Sequence, residues 1–391
     1  MSPPLSSADL PRSLWVDIDC AALAHNLHQV QRLLSPATRL MAVVKADGYG
    51  HGAVAAARTF VEAGAQYLGV STVEEAIALR EHNVETPILC FMPPLADQAD
   101  HALVHGITVT VYAREQVAAL VESAKRRGKQ ARCHLNVDTG MGRLGLAPDR
   151  AAALARELTQ QDEIDFEGIY THFATAQKRN AAPPLQQWFR FRELLAQLAR
   201  GGIAPPLRHC ANSGALLRLP ECHLDMVRLG TLLYGDWPAP FLQRPDMKLL
   251  SAFSLRGRIV AIRDLPAGAS VGYGSEWQAA RPSRLGVVPV GWADGLSLAP
   301  HARTPTPGDV FRRAARDLAS ARTGRFLLRG EAQAPIVGRI GMQATSVDLT
   351  DLPGVQVGDV VTIPCRKTAV PGRVPRVYSA PTEATGSDNS G

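Results

Sequence analysis

Lys45 stands directly after the apolar run Ala42-Val43-Val44 and sits in the segment VKADGYGHG. A lysine there is expected to hold its amine at the mouth of a buried strand, where loss of water disfavours the ammonium form. The result is a nucleophile able to form a Schiff base. A lysine snorkelling off a strand end would give the same isolated pattern, but here Gly and Tyr residues flank it and favour the chemical reading. Asn212-Ser213-Gly214 and Gly230-Thr231 each follow another apolar run. Backbone amides at such positions can cradle a phosphate, although either cluster alone is also what a tight turn looks like. A reactive amine and an anion cradle together suit a phosphorylated cofactor.

Positioning these residues requires a frame that gathers strand ends. From Arg39 onward, short β-rich runs alternate with helix-period segments. The runs are Leu40 to Val44, Tyr67 to Val70, Pro87 to Phe91, Ile107 to Tyr112, Arg132 to Val137, Phe166 to His172, Leu207 to Ala211 and Met226 to Leu229. Eight such units in this length predict an α/β fold with an N-terminal (β/α)8 TIM-type barrel, an open doubly wound sheet being the lesser alternative. Lys45, Arg143, His172, Ser213 and Arg228 then all lie at or just beyond strand C-termini, where barrels carry their chemistry.

An amphipathic helix over Cys20 to Leu34, entered from Asp17-Ile18-Asp19, precedes the barrel. After Tyr234 strands recur without long helices between them: Ser254 to Val260, Arg284 to Val290, Arg325 to Leu328, Ala334 to Ile340 and Val360 to Ile363. The expected division is a barrel over 12–245, a smaller mostly-β C-terminal domain over 246–379 and a disordered tail over 380–391. Ala299 to Asp309 also reads as flexible.

Composition narrows the classes. Of 391 residues, 42 are basic and 36 acidic, giving a net charge of +6 without segregated blocks. The densest basic run, Lys125 to Lys129, follows a helical pattern and reads as a solvated helix end, so no nucleic-acid partner is expected. No apolar stretch has membrane-span length and the start shows no signal peptide; a cytoplasmic protein is expected. The 6 cysteines form no C-x-x-C pair, so neither a metal site nor a disulfide framework is expected.

The ordered motifs VKADGYGHG, VDTGMGRLG, THFATA, HCANSGALL, VRLGTLLYG, VGYGSEW, VGWADG and VGRIGM run from Trp15 to about Asp348. In this order and spacing they resemble the alanine racemases. That resemblance implies a pyridoxal 5'-phosphate enzyme interconverting L- and D-alanine, with D-alanine destined for peptidoglycan. It implies that Lys45 carries the cofactor as an internal aldimine, and that Tyr49, Ser213, Gly230 and Thr231 bind its phosphate. Arg228 is implied to face the pyridine nitrogen, with His172 beside the cofactor. Lys45 and Tyr273 are implied to be the two opposed bases, Tyr273 reaching the site of the other subunit of a homodimer. Arg143 and the backbone of Met342 are implied to hold the carboxylate of the amino-acid substrate.

Three positions depart from the family pattern. Asn136 stands where many members carry a carbamylated lysine, and Gln343 replaces an acidic residue. The C-terminal end lacks the tyrosine that caps the cofactor phosphate, a role that Tyr378 does not match. Asn136 opens the alternative of a broad-specificity amino-acid racemase. The three departures together open that of a catalytically impaired cofactor-binding paralogue. A pyridoxal-phosphate decarboxylase is disfavoured by Arg228, because decarboxylation needs an acidic partner at the ring nitrogen.

Overall fold

Asp19 starts the first helix, Cys20–Gln31, by accepting a hydrogen bond from the Ala22 N–H at 2.9 Å. Leu23, Leu27 and Val30 form its fully buried stripe. The helix stops three residues short of the expected Leu34 because the chain tightens: the Leu33 and Leu34 N–H groups donate to Val30 and Gln31 carbonyls, the shorter-range pattern that commonly closes a helix. This computed structural model describes residues 11–296, 311, 315, 325–327 and 332–379. The segments 299–309 and 380–391 expected to be flexible lie outside the described residues.

Two compact units emerge, one over Asp19–Ala252 and the other combining the chain up to Ile18 with Phe253–Ser379. The first strand, β1 (Leu14–Asp19), pairs antiparallel with Phe253–Arg258 of the second unit.

The first unit is built on β2 (Arg39–Val43), β3 (Tyr67–Val70), β4 (Ile88–Cys90), β5 (Thr108–Val111), β6 (Ala131–Val137), β7 (Ile164–Thr171), β8 (Leu207–His209) and β9 (Met226–Leu229). These eight strands form one sheet in the order β8-β7-β6-β5-β4-β3-β2-β9, parallel throughout. The remaining seam is bridged where the Asp225 N–H donates to the Arg208 carbonyl at 3.1 Å and the Arg228 N–H to the Ala211 carbonyl at 2.9 Å. The barrel is thus nearly closed, as expected from the strand count. Strands β3, β4, β5 and β9 are buried at every residue, and β3 and β4 accordingly read as unbroken apolar runs rather than alternating ones. Inside, Met41, Tyr67, Leu89, Tyr170, Leu207 and Met226 form one packed cluster.

Helices separate the strands. In one of them, Arg114–Arg127, the basic run occupies the last turn before Gly128, whose φ of 61° supplies a left-handed end. Arg126 and Arg127 pair with Asp100 at 2.8 and 2.9 Å, so local carboxylates offset this charge. The five fully buried cysteines and the half-buried Cys365 are all free thiols. Among the described residues no helix is long and apolar enough to cross a membrane.

The second unit adds β10 (Phe253–Arg258), β11 (Ala261–Leu265), β12 (Ser270–Val271), β13 (Trp277–Gln278), β14 (Ser283–Val288), β15 (Arg325–Leu327), β16 (Gln333–Val337), β17 (Thr345–Asp348), β18 (Val360–Ile363) and β19 (Arg376–Ser379). Its main sheet runs β11-β14-β17-β16-β15-β18-β10-β1-β19, and β12 with β13 forms a separate hairpin. Buried and partly exposed residues alternate along β10, β17 and β18, as in a sheet packed on one face. The C-terminal domain is mostly β, in agreement with the sequence.

Asn26 ties the first helix to the end of the barrel unit. Its side-chain amide donates to the Leu233 and Leu250 carbonyls at 3.2 and 2.8 Å, and its oxygen accepts from the Leu250 N–H at 2.8 Å. Asn26→Ala leaves these buried groups without partners. It should lower stability by about 3 kcal/mol, read as a fall in the urea midpoint, whereas Ala at the partly exposed Gln29 should change it little.

Candidate active site

The backbone turns sharply where β2 delivers Lys45. Ala46, Asp47, Gly48 and Tyr49 all have left-handed φ values between 52° and 58°. Only the glycine adopts this conformation without steric cost; for each of the other three the penalty is about 1 kcal/mol. Hydrogen bonds hold the turn. The Glu75 carboxylate accepts from the Ala46 and Ser71 N–H groups, each at 2.7 Å, and Asp47 accepts from the Ala53 N–H at 2.9 Å. Gly48 packs so tightly on the next helix that a Cβ there would lie 3.2 Å from that of Ala56. A strained turn maintained in this way indicates a functional position. Burial, reinforced by the Arg143 charge and opposed by Glu75, lowers the proton affinity of the Lys45 amine.

Tyr49 leaves the same turn and stacks on Tyr234, with ring centroids 4.7 Å apart. Tyr234 is fully buried and donates to the Val43 carbonyl at 3.1 Å. The Tyr49 hydroxyl reaches Gly230 so closely that a Cβ there would lie 2.3 Å from it. Burial pushes Tyr49 up to about 12, which keeps it a hydrogen-bond donor. On the adjoining wall Asn212 caps the turn at Ser213 by accepting from the Ala215 N–H at 3.1 Å. A Cβ at Gly214 would lie 3.0 Å from the Ala176 backbone.

Arg228, on β9, is 4% exposed. It donates to His209 Nδ1 at 2.7 Å and to the Thr171 carbonyl at 2.7 Å, and its guanidinium lies 5.0 Å above the Tyr170 ring. His172 follows β7; burial, then Arg228, Arg143 and Lys45, depress it to about 3, so it is neutral at ordinary pH. Arg143 sits on a loop organised by Asp138, which accepts from the Gly140 and Met141 N–H groups at 2.9 and 2.7 Å.

These groups surround one cavity of about 690 Å³, a size suited to a small cofactor with its substrate. Lys45, Tyr49, Arg143 and His172 line it, as do Ser213, Arg228, Gly230 and Thr231. Asn136 is also in its wall. Tyr273 and Met342 are not: they belong to the second unit, where they are 76% and 58% exposed. Gly291 packs there against Gly341 and Met342, allowing the Trp292 and Ala293 N–H groups to donate to those two carbonyls at 3.1 Å each. The VGWADG and VGRIGM motifs are thereby joined.

Sequence reading missed the residues behind Arg228. Tyr170, His209, His134 and Glu167 are linked under the cavity floor. Their signal was present as polar residues within otherwise apolar strands, but the pairing crosses three strands and has no local spacing.

The described geometry meets a clear set of relatives. Residues 18–238 match the family described as alanine racemase, N-terminal domain, and residues 252–371 match alanine racemase, C-terminal domain. The chain belongs to the alanine racemase family. It is an isomerase by that membership. The alanine racemase of Desulfovibrio desulfuricans is 39% identical over 359 residues, covering 90% of this chain and 89% of that protein. That of Methanococcus maripaludis is 34% identical over 351 residues, covering 90% and 88%. Among solved structures, alanine racemase from D-cycloserine-producing Streptomyces lavendulae superimposes with a TM-score of 0.82 at 32% identity, covering 95% of this chain and 98% of that one. The biosynthetic alanine racemase of Pseudomonas aeruginosa gives 0.75 at 30% identity, covering 95% and 100%.

Acid should weaken the barrel. Burial holds His134, His172 and His209 below the ordinary histidine value of 6.5, so the unfolded chain binds protons that the native one refuses. The contribution is complete above 6.5 and is lost progressively as pH falls below it toward the lowered native values. Between about pH 7 and about pH 5.5, where carboxylates stay ionised, the urea midpoint should fall. The slope should be shallower in His172→Gln.

Proposed function

We propose that this chain racemises alanine with pyridoxal 5'-phosphate bound in the barrel cavity. The single observation carrying this reading is the convergence of the Lys45 amine, its proton affinity lowered by burial, with Arg228 and the Ser213 and Thr231 walls on one cavity. The donor set fits the cofactor: an amine for its aldehyde, hydroxyls and amides for its phosphate, and a guanidinium for its ring nitrogen. When bound, the cofactor supplies an electron sink that acidifies the α-hydrogen of the amino acid.

On this reading Lys45 holds the cofactor, and Tyr49, Ser213, Gly230 and Thr231 bind its phosphate, with His172 against the ring. Arg228 retains its charge at all working pH values and would disfavour a proton on the ring nitrogen of the bound cofactor. That limits delocalisation and with it side reactions. Lys45 Nζ removes the α-proton from one face of the substrate, and Tyr273 Oη returns one to the other; in the reverse direction the roles exchange. Arg143 and the Met342 N–H hold the carboxylate. Tyr273 acts in the cavity of a second subunit, a role supported by its exposure. The active species is a cytoplasmic homodimer with shared sites, and its product is D-alanine for peptidoglycan.

Chiral product analysis with cofactor and, separately, L-alanine, L-serine, L-lysine and L-arginine tests the reading. D-alanine should form fastest. Comparable conversion of several substrates would favour the broad-specificity alternative that Asn136 in the cavity wall suggests, and no conversion would favour an impaired paralogue. Lys45→Ala should abolish racemisation. Tyr273→Phe should lower it by about 10²- to 10⁴-fold, with cofactor binding retained.

A further inference from the structure

Arg228 is buried and carries a permanent charge, yet among the described residues no carboxylate lies within ion-pair distance of it. Its near acceptors are neutral: His209 Nδ1, the Thr171 carbonyl and, each at 3.4 Å, His172 Nδ1 and the Cys210 carbonyl. A buried guanidinium without a counter-charge is costly. The contacts behind it lead to one. His209 Nε2 lies 2.8 Å from His134 Nδ1, and His134 Nε2 lies 3.2 Å from Glu167 Oε2. Both imidazoles are fully buried.

The direction of this chain follows from one fact: a guanidinium can only donate. His209 Nδ1 must therefore accept, so the His209 proton is on Nε2 and is donated to His134 Nδ1. His134 in turn carries its proton on Nε2 and donates it to Glu167. Protonating His209 would turn an N–H toward Arg228. Protonating His134 would put a hydrogen on Nδ1 facing the one on His209. Both rings are therefore neutral, and every hydrogen in the series points from the cation toward the carboxylate. Tyr67 and Thr108 complete the far end, donating to the same Glu167 oxygen at 2.8 and 3.1 Å. Tyr170, stacked on His209 at 4.9 Å with its ring beneath Arg228, keeps the chain in line.

We propose that Glu167 is the remote counter-charge of Arg228, acting through His134 and His209, and is a positioning residue for the reaction at the cavity. The carboxylate holds the two imidazoles in one tautomer, fixes the guanidinium plane at the cavity floor and moderates the positive field there. This role rests on the proposed cofactor reading, in which Arg228 meets the ring nitrogen; the hydrogen-bond directions themselves do not.

The first test is nitrogen-15 NMR of histidine-labelled full chain without added cofactor. His134 and His209 should both appear as neutral rings protonated at Nε2 from about pH 6 to about pH 9. An imidazolium, or an Nδ1-protonated His209, would overturn the proposal whatever the chain catalyses. The second compares Glu167→Gln and Tyr67→Phe with wild type, all loaded with pyridoxal 5'-phosphate. Glu167→Gln removes the charge and keeps an acceptor; it should shift the pH at which the visible absorbance of the bound cofactor changes to a lower value. It should also reduce kcat about tenfold with KM little altered. Tyr67→Phe, which takes away a contact to Glu167 but leaves its charge and every link of the chain, should move both by much less than Glu167→Gln does. If Glu167→Gln lowers thermal stability yet moves neither the absorbance titration nor kcat, Glu167 is only barrel packing. A wild-type chain that neither binds the cofactor nor racemises would sink the functional reading instead, leaving the NMR result to judge the chain of hydrogen bonds.

Discussion

A guanidinium enclosed at the end of a barrel is the constraint on which this architecture turns. Arg228 lies on β9, at the seam where the sheet meets β8, and its own N–H helps bridge that seam. Its side chain is held by carbonyls and imidazole nitrogen from β7, β8 and the residue that follows β8. The elements that close the barrel therefore also fix the charge at the cavity floor. Apolar burial provides the free energy that keeps such a charge in place: the strands around it are covered on both faces, and each buried aliphatic or aromatic side chain contributes about 1.5–3 kcal/mol.

A second constraint lies across the cavity. The left-handed turn after Lys45 is sterically unfavourable at three of its four residues, and Glu75 and Asp47 hold it with side-chain hydrogen bonds. The turn directs two side chains at once, sending the Lys45 amine into the cavity and the Tyr49 ring onto Tyr234. Arg228 and Lys45 thus face one space from opposite strands of a pair, since β2 and β9 are adjacent. Arg143 lowers the proton affinity of Lys45 further than burial alone.

Much of this frame was legible in the sequence because parallel barrel strands are buried on both faces and read as largely apolar runs, as Tyr67–Val70 and Ile88–Cys90 do. The cavity residues were legible because each follows such a run. The β-rich unit was harder. β11 has no buried residue and begins three residues after β10, while β12 and β13 are two residues each, too short for a periodic signal. The left-handed turn was invisible because Ala46 and Tyr49 do not announce a positive φ, and Asp47 tolerates one only as a single residue. The Glu167-His134-His209 series was invisible for a different reason: its partners are 33 and 75 residues apart, and only barrel closure brings them together.

On the proposed reading the account turns on Lys45 as the residue that holds the cofactor. The direct measurement is borohydride reduction of the protein loaded with pyridoxal 5'-phosphate, followed by peptide mass mapping. The account predicts a single pyridoxyl adduct, on the peptide containing Lys45, and none in Lys45→Ala. An adduct confined to another lysine, or no adduct in a protein that still racemises alanine, would contradict it.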